Sequence, residues 1–173
     1  MTEAEKRIHR CCFTGHRPEK LAMTERQAVK ELETAIRQAI ADGLNVFISG
    51  MAPGVDIWAA EIVLRLRDKE KLPIKLIAAN PHPNFIDRWP KWSKRYNAII
   101  EAADLTRDIC DSYKRGVYQI RHEWMVDHSA RVIAVWNGTP SGTKNTVDYA
   151  NRKNVPVVNV YRKQKENHAS ENA

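Results

Sequence analysis

Three short segments gather the residue types that could handle an anionic ligand. They are Thr14-Gly15-His16-Arg17-Pro18, Ser49-Gly50-Met51-Ala52-Pro53-Gly54-Val55-Asp56, and Asn137-Gly138-Thr139-Pro140-Ser141-Gly142-Thr143-Lys144-Asn145-Thr146. Glycine lets a backbone approach a phosphate closely, and arginine offers it a two-pronged fork of N–H donors. On this chemistry Gly15 and Arg17 would cradle phosphate in the first segment. His16 could donate to phosphate, take part in acid–base transfer, or serve as an ordinary hydrogen-bonding residue. In the second segment Ser49, Gly50, Met51 and Gly54 form a turn whose N–H groups could face an anion. Asp56, in the first turn of the following helix, either complements the helix dipole or accepts from a ribose or a neighbouring loop. In the third, Asn137, Gly138, Ser141, Gly142 and Thr143 offer an amide, hydroxyls and N–H groups, although Ser141 equally suits a helix cap. Neither GxxxxGK[ST] nor GxGxxG is present, which disfavours a P-loop triphosphatase and an ordinary dinucleotide dehydrogenase.

The elements that must carry these segments follow from hydrophobic period. Apolar, β-branched runs at 8–14, 45–49, 73–79, 105–110, 131–136 and 155–160 read as strands. Between them lie helical patterns at 24–42, 55–69, 90–103, 117–128 and 143–152. The 24–42 segment opens with Thr24 and Gln27, a capping box, and closes at Gly43. In 117–128 the apolar side comprises Val117, Ile120, Trp124 and Met125. Strands alternating with helices predict an α/β fold with a mainly parallel central sheet. Five of the seven glycines, at 15, 50, 54, 138 and 142, then follow strands and share the carboxyl edge of the sheet, where such folds bind ligands.

With 173 residues, 43% hydrophobic and 28% charged, the chain suits one domain, taken as 1–162, with a flexible polar tail at 163–173. No apolar run nears the ~20 residues of a membrane span and the first residues lack an apolar signal segment, so a cytoplasmic protein with no membrane partner is expected. Cys11, Cys12 and Cys110 are expected as buried thiols, the adjacent pair pointing to opposite faces of a strand. Histidines and cysteines show no zinc-site spacing, so no metal is expected. A net charge of +7 suits an anionic ligand. The stretch 85–96 interleaves aromatic and basic residues, a mixture that strand binding would use. The four-residue spacing of Trp92 and Tyr96 is explained by helix packing, and nucleic acid is not expected as a partner.

Taken together, the three segments, with Ile57-Trp58-Ala59-Ala60-Glu61, Met125-Val126-Asp127-His128-Ser129, Ile133-Ala134-Val135-Trp136 and Thr146-Val147, resemble the YpsA-like family of the SLOG superfamily over roughly 8–160. The resemblance implies a Rossmann-like three-layer sandwich that binds or senses a nucleotide or nucleotide-derived ligand, ADP-ribose-like or a nucleoside phosphate, at the carboxyl edge. It implies no cofactor beyond such a ligand and is compatible with a homodimer. Related LOG enzymes cleave nucleoside monophosphates with a GGxGTxxE motif; here Thr146 occupies the glutamate position and cannot act as a carboxylate, so the reading leans away from an enzyme. Arg121 resembles a substrate-binding arginine of those enzymes. The alternative is an N-glycoside hydrolase that uses Asp56 or Asp127 as its carboxylate, and a further alternative is a DNA-associated protein like DprA.

Overall fold

The computed structural model describes residues 1–162, and the tail expected at 163–173 lies outside the described residues. Six strands form a single sheet in which every pairing is parallel: β1 (Arg10–Gly15), β2 (Val46–Ser49), β3 (Lys75–Asn80), β4 (Leu105–Asp108), β5 (Arg131–Val135) and β6 (Val157–Asn159). Their order across the sheet is β4-β3-β2-β1-β5-β6. The chain thus steps outward from β1 in one direction through β4, then returns to the other side of β1 with β5. That reversal places a topological switch point between β1 and β5, the crevice in which open α/β sheets take ligands.

Helices α2 (Glu25–Ala41), α3 (Val55–Lys69) and α4 (Ser93–Ala102) pack on one face of the sheet, and α5 (Val117–Asp127) and α6 (Gly142–Arg152) on the other. The result is a three-layer α/β sandwich of Rossmann-like type. A short α1 (Glu3–Arg7), opened by a Thr2–Glu5 capping box, precedes β1 and pushes its start to Arg10. The alternation of β1 sorts its two thiols as expected: Cys11 joins the core beneath α2 and α3, Cys12 the smaller core beneath α5 and α6. All three cysteines are free and buried. Among the described residues no helix is long and apolar enough to cross a membrane.

Helix α3 is the buried centre of its layer, with Val55, Ile57, Trp58, Ala59, Ala60, Ile62, Val63 and Leu66 all inside. A helix covered on most sides has little amphipathic signal, so its position depends on how its first turn is entered. The entry is Gly54, at φ 94° and ψ −121°, backbone that L side chains avoid. A Cβ there would also stand 2.7 Å from Cδ of Pro18, in the loop after β1.

Helix α5 departs from its expected apolar side. Val117 and Met125 are buried, but Ile120 is exposed and Trp124 only partly covered, while Arg121 is 2% exposed and Val126 fully buried. The inward stripe of α5 is organised around a guanidinium that finds a carbonyl acceptor inside, which a hydrophobicity pattern cannot register.

Substituting Gly54→Ala is expected to lower unfolding stability by about 1–3 kcal/mol through backbone strain alone, with further loss from the Pro18 clash. Urea midpoints at unchanged slope measure it, and an unaltered midpoint would refute the assigned role of Gly54.

Candidate functional site

A cleft of about 370 Å³ opens at the carboxyl edge above the β1/β5 switch point. Its walls come from four places: Gly15 at the end of β1 with His16, Arg17, Glu19 and Lys20 after it; Ala52 and Asp56 after β2; Ser141, Gly142 and Thr143 at the start of α6; and Tyr118, Arg121 and His122 on α5. The positions 118, 121 and 122 lie at helical i, i+3 and i+4, so one stripe of α5 faces the cleft.

The floor is the turn between β2 and α3. Ser49 Oγ donates to the Asp56 carbonyl at 2.8 Å and accepts from the Met51 N–H at 3.2 Å, closing the turn on itself. Met51 is buried at φ 62°, an uncommon conformation for a residue with a side chain. The Ala52 N–H donates to Asp56 Oδ2 at 3.2 Å. Gly50 lies between the two buried charges: a Cβ on it would be 2.9 Å from Asp56 Oδ2 and 3.0 Å from Arg121 Cζ. Arg121 donates through Nη1 to the Gly50 carbonyl.

Asp56 and Arg121 therefore face each other over Gly50 without a direct hydrogen bond. Burial raises the Asp56 carboxyl above its ordinary value, against the pull of Arg121, the Ala52 N–H and Arg17. Burial likewise lowers Arg121, against the pull of Asp56. His122 is driven well below its ordinary range by burial and by the Arg121 charge beside it. Its Nε2 lies 3.2 Å from Arg121 Nη2, and a neutral ring accepts there from that guanidinium. His16 is also lowered, chiefly by burial, so it meets the cleft as a neutral imidazole at pH 7.

Among the described residues, six buried side-chain polar atoms find no hydrogen-bond partner, and three of them belong to cleft residues: His16 Nε2, Asp56 Oδ1 and Arg121 Nε. Unpaired buried polar atoms each cost stability, so their concentration in one cleft is characteristic of a binding site. Ser141 caps α6 by accepting from the Lys144 N–H at 3.1 Å, and Gly142 and Thr143, whose N–H groups belong to the first turn of that helix, line the cleft. Arg17 does not pair with Glu19; its guanidinium carbon lies 4.2 Å from the ring centroid of Trp89.

Of the residues singled out in the sequence, Gly15, His16, Arg17, Asp56, Arg121, Ser141, Gly142 and Thr143 line the cleft. Ser49, Gly50, Met51 and Gly54 lie behind it and build its floor. Asn137 ties two loops together, donating to the Lys20 carbonyl at 3.2 Å and accepting from Thr139 Oγ1 at 2.6 Å, while Gly138 turns the chain at φ 89°. Asp127 is away from the cleft at the far end of α5, accepting from Tyr149 Oη on α6 at 2.8 Å. Thr146 is 2% exposed, and its hydroxyl donates to the Gly142 carbonyl at 3.0 Å. Tyr118, His122, Glu19, Lys20 and Ala52 line the cleft without having been singled out; the spacing of Tyr118, Arg121 and His122 is the signal that could have found two of them.

A parallel doubly wound sheet with a polar cleft of mixed charge at its switch point defines a Rossmann-like domain. The family model for YpsA, described as the YspA SLOG family, matches residues 11–164, and the chain belongs to that family. UPF0398 protein OB1025 of Oceanobacillus iheyensis is 31% identical over 160 residues, covering 85% of each chain. The SPbeta prophage-derived protein YoqJ of Bacillus subtilis is 33% identical over 123 residues, covering 61% of this chain and 69% of its own.

Among solved structures, DNA processing protein A from Helicobacter pylori, described for its single-stranded DNA binding mode, aligns with a TM-score of 0.64 at 22% identity over 95% of this chain and 69% of that one. DNA processing protein A from Streptococcus pneumoniae aligns at 0.62 and 22% over 87% of this chain, which spans about half of that protein. At this identity the likeness shows the shared fold. It overturns the expectation that nucleic acid is not a partner, because that expectation rested on helix packing of the aromatic–basic stretch. Tyr96 is indeed buried, but Arg88 is exposed and Trp89 carries Arg17 on its ring, so packing accounts for only part of the segment.

Because the folded Asp56 carboxyl titrates above its ordinary value near 3.8, its favourable contribution is complete below that value and is lost as pH rises through the folded one. Asp56→Asn removes this titration. Compared with the parent, the Asn variant is expected to gain relative stability as pH rises from about 3 to 7. Urea unfolding of both proteins across that range measures it; a difference independent of pH would refute the assignment.

Proposed function

We propose that this chain is a binding or sensing domain whose cleft receives the phosphate and ribose of a nucleotide or nucleotide-derived ligand. The observation that carries the reading is that His16, Asp56 and Arg121, whose Nε2, Oδ1 and Nε are buried and unpaired, all line one cleft at the switch point. Arg17 and the N-terminal N–H groups of α6 suit an anion, the latter through both their unpaired donors and the helix dipole. His16, neutral at pH 7, suits a single hydrogen bond to a phosphate oxygen. Asp56 suits the role of acceptor for a ribose hydroxyl, since it lines the cleft and its Oδ1 has no hydrogen-bond partner.

Binding without turnover is favoured by position 146. The hydroxyl of Thr146 is engaged with the Gly142 carbonyl, and the side chain lies inside the fold instead of lining the cleft. Asp127, the other carboxylate considered for hydrolysis, is likewise remote from the cleft. A second reading, in which the bound nucleotide is one unit of a single strand, is supported by the likeness to DNA processing protein A.

Thermal-shift measurement with AMP, ADP, ADP-ribose, NAD and a short oligodeoxynucleotide tests both. A ligand at a hundredfold excess over Kd is expected to stabilise the fold by about 2.7 kcal/mol. Arg17→Ala is expected to weaken it by about 1.5–3 kcal/mol, roughly ten- to a hundredfold, by removing a charge-assisted contact. No shift with any ligand would sink the nucleotide reading. Chromatography of the protein incubated with AMP is expected to show no free adenine over hours, and adenine release lost in Asp56→Asn would promote the hydrolase instead.

A further inference from the structure

Next to the cleft, the loop following β3 makes two 3-10 turns, Phe85–Arg88 and Pro90–Trp92, with Trp89 between them. Trp89 is set from beneath by buried Phe85, edge-on at 6.2 Å, and Phe85 is set in turn by Tyr96 at 5.5 Å. Tyr96 is fixed by donating its hydroxyl to Asn80 Oδ1 at 2.9 Å. The indole is therefore mounted on the core and is not a loose surface ring.

Two guanidiniums attend this one indole: Arg17 at 4.2 Å and Arg88 at 5.3 Å from its centroid. Among the described residues neither forms an ion pair with a carboxylate. Arg88 reaches instead to Tyr118 Oη at 3.4 Å, and Tyr118 lines the cleft, as does Arg17. The aromatic row continues away from the cleft through His82, whose ring lies 6.4 Å from Tyr118 and 5.6 Å from exposed Tyr113. His82 Nε2 is buried without a partner. Two like charges held on one ring, neither in a direct ion pair, repel each other, and a phosphate nearby would relieve that repulsion. Aromatic and guanidinium planes in the same place supply the surface on which a base stacks.

We propose that this layer of Trp89, Arg17, Arg88 and Tyr118 is a second subsite, continuous with the cleft, that stacks the base and holds the phosphate of a further nucleotide unit. It rests on the nucleotide reading of the cleft and sharpens it: the preferred ligand has two linked nucleotide units. The linkage can belong to a free dinucleotide or to a single strand, which share this chemistry.

Isothermal titration of the full chain with AMP, 5′-phosphorylated ApA, NAD and a ten-residue oligo-dT tests the proposal. ApA or NAD is expected to bind at least fivefold tighter than AMP, the scale of one stacked base. Arg88→Ala is expected to abolish that gain while leaving the AMP affinity within twofold, which also shows that the variant folds; Trp89→Leu, which removes the ring that carries Arg17, is expected to abolish the gain as well and to weaken AMP no more than Arg17→Ala does. Oligo-dT tighter than ApA assigns the strand as the source, and NAD tighter than both assigns the free dinucleotide. A parent protein that binds AMP but gains nothing from a second unit overturns this proposal alone. So do variants that weaken AMP and ApA equally. A parent protein that binds none of the four overturns the cleft reading along with it.

Discussion

The buried guanidinium of Arg121 is the constraint around which the carboxyl edge is built. It extends from α5, in one helical layer, to the Gly50 carbonyl at the end of β2, and it shares the electrostatics of Asp56 in the first turn of α3, in the other layer. Placing a guanidinium at 2% exposure costs several kcal/mol in lost hydration unless charge and acceptors replace the water. Every local peculiarity nearby follows from meeting that demand. Residue 50 must lack a Cβ, because one would stand 3.0 Å from Arg121 Cζ. Asp56 must be held facing inward, which the Ala52 N–H and the dipole of α3 both favour. His122 must be neutral, so that its ring can accept from the guanidinium instead of repelling it. The turn that satisfies these conditions carries Met51 in left-handed backbone and Gly54 in backbone open only to glycine.

The sheet and its layers were legible because each signal was local. Continuous apolar, β-branched runs and a well-capped 24–42 helix need no knowledge of distant residues, and glycines after strands locate the carboxyl edge without coordinates. The ends of strands were less legible: β4 and β6 are edge strands of four and three residues, so burial marks their limits poorly. Helix α1 escaped notice because its five residues bury nothing and are held by a capping box alone. For the site, chemistry placed Arg17 and Asp56 by type and loop position. The failures were of direction. Ser49 and Asn137 have the groups of ligand-binding residues but direct them to backbone carbonyls, Ser49 within its own turn and Asn137 across to the loop after β1. Asp127 lies about one and a half helical turns beyond Arg121 and His122, and a stripe judged by hydrophobicity put Ile120 inside where Arg121 belongs. Which way a polar side chain points depends on long-range partners, here Gly50, 71 residues away, and a single sequence does not encode that pairing visibly.

Charge balance in the cleft also limits what it can hold. Arg121 and Asp56 are both shifted by burial against their charged forms, yet each favours the charge of the other. A ligand that is only an anion gains from Arg17, Arg121 and the α6 N-terminus and loses to the carboxylate of Asp56. A ligand that is only a neutral donor gains from Asp56 and leaves the cations unanswered. Among simple metabolite groups, an anion attached to a hydroxyl-bearing ring answers both, and a sugar phosphate is such a group. On the proposed reading, Asp56 thus acts less as a floor strut than as a selector that disfavours bare anions such as inorganic phosphate or sulfate. With Glu19 and Asp56 in its walls the cleft is not simply basic despite a net charge of +7: a uniformly cationic cleft would attract any polyanion, whereas on the proposed reading the Asp56 carboxylate facing the cations would make affinity depend on a hydroxyl at the right distance from the phosphate.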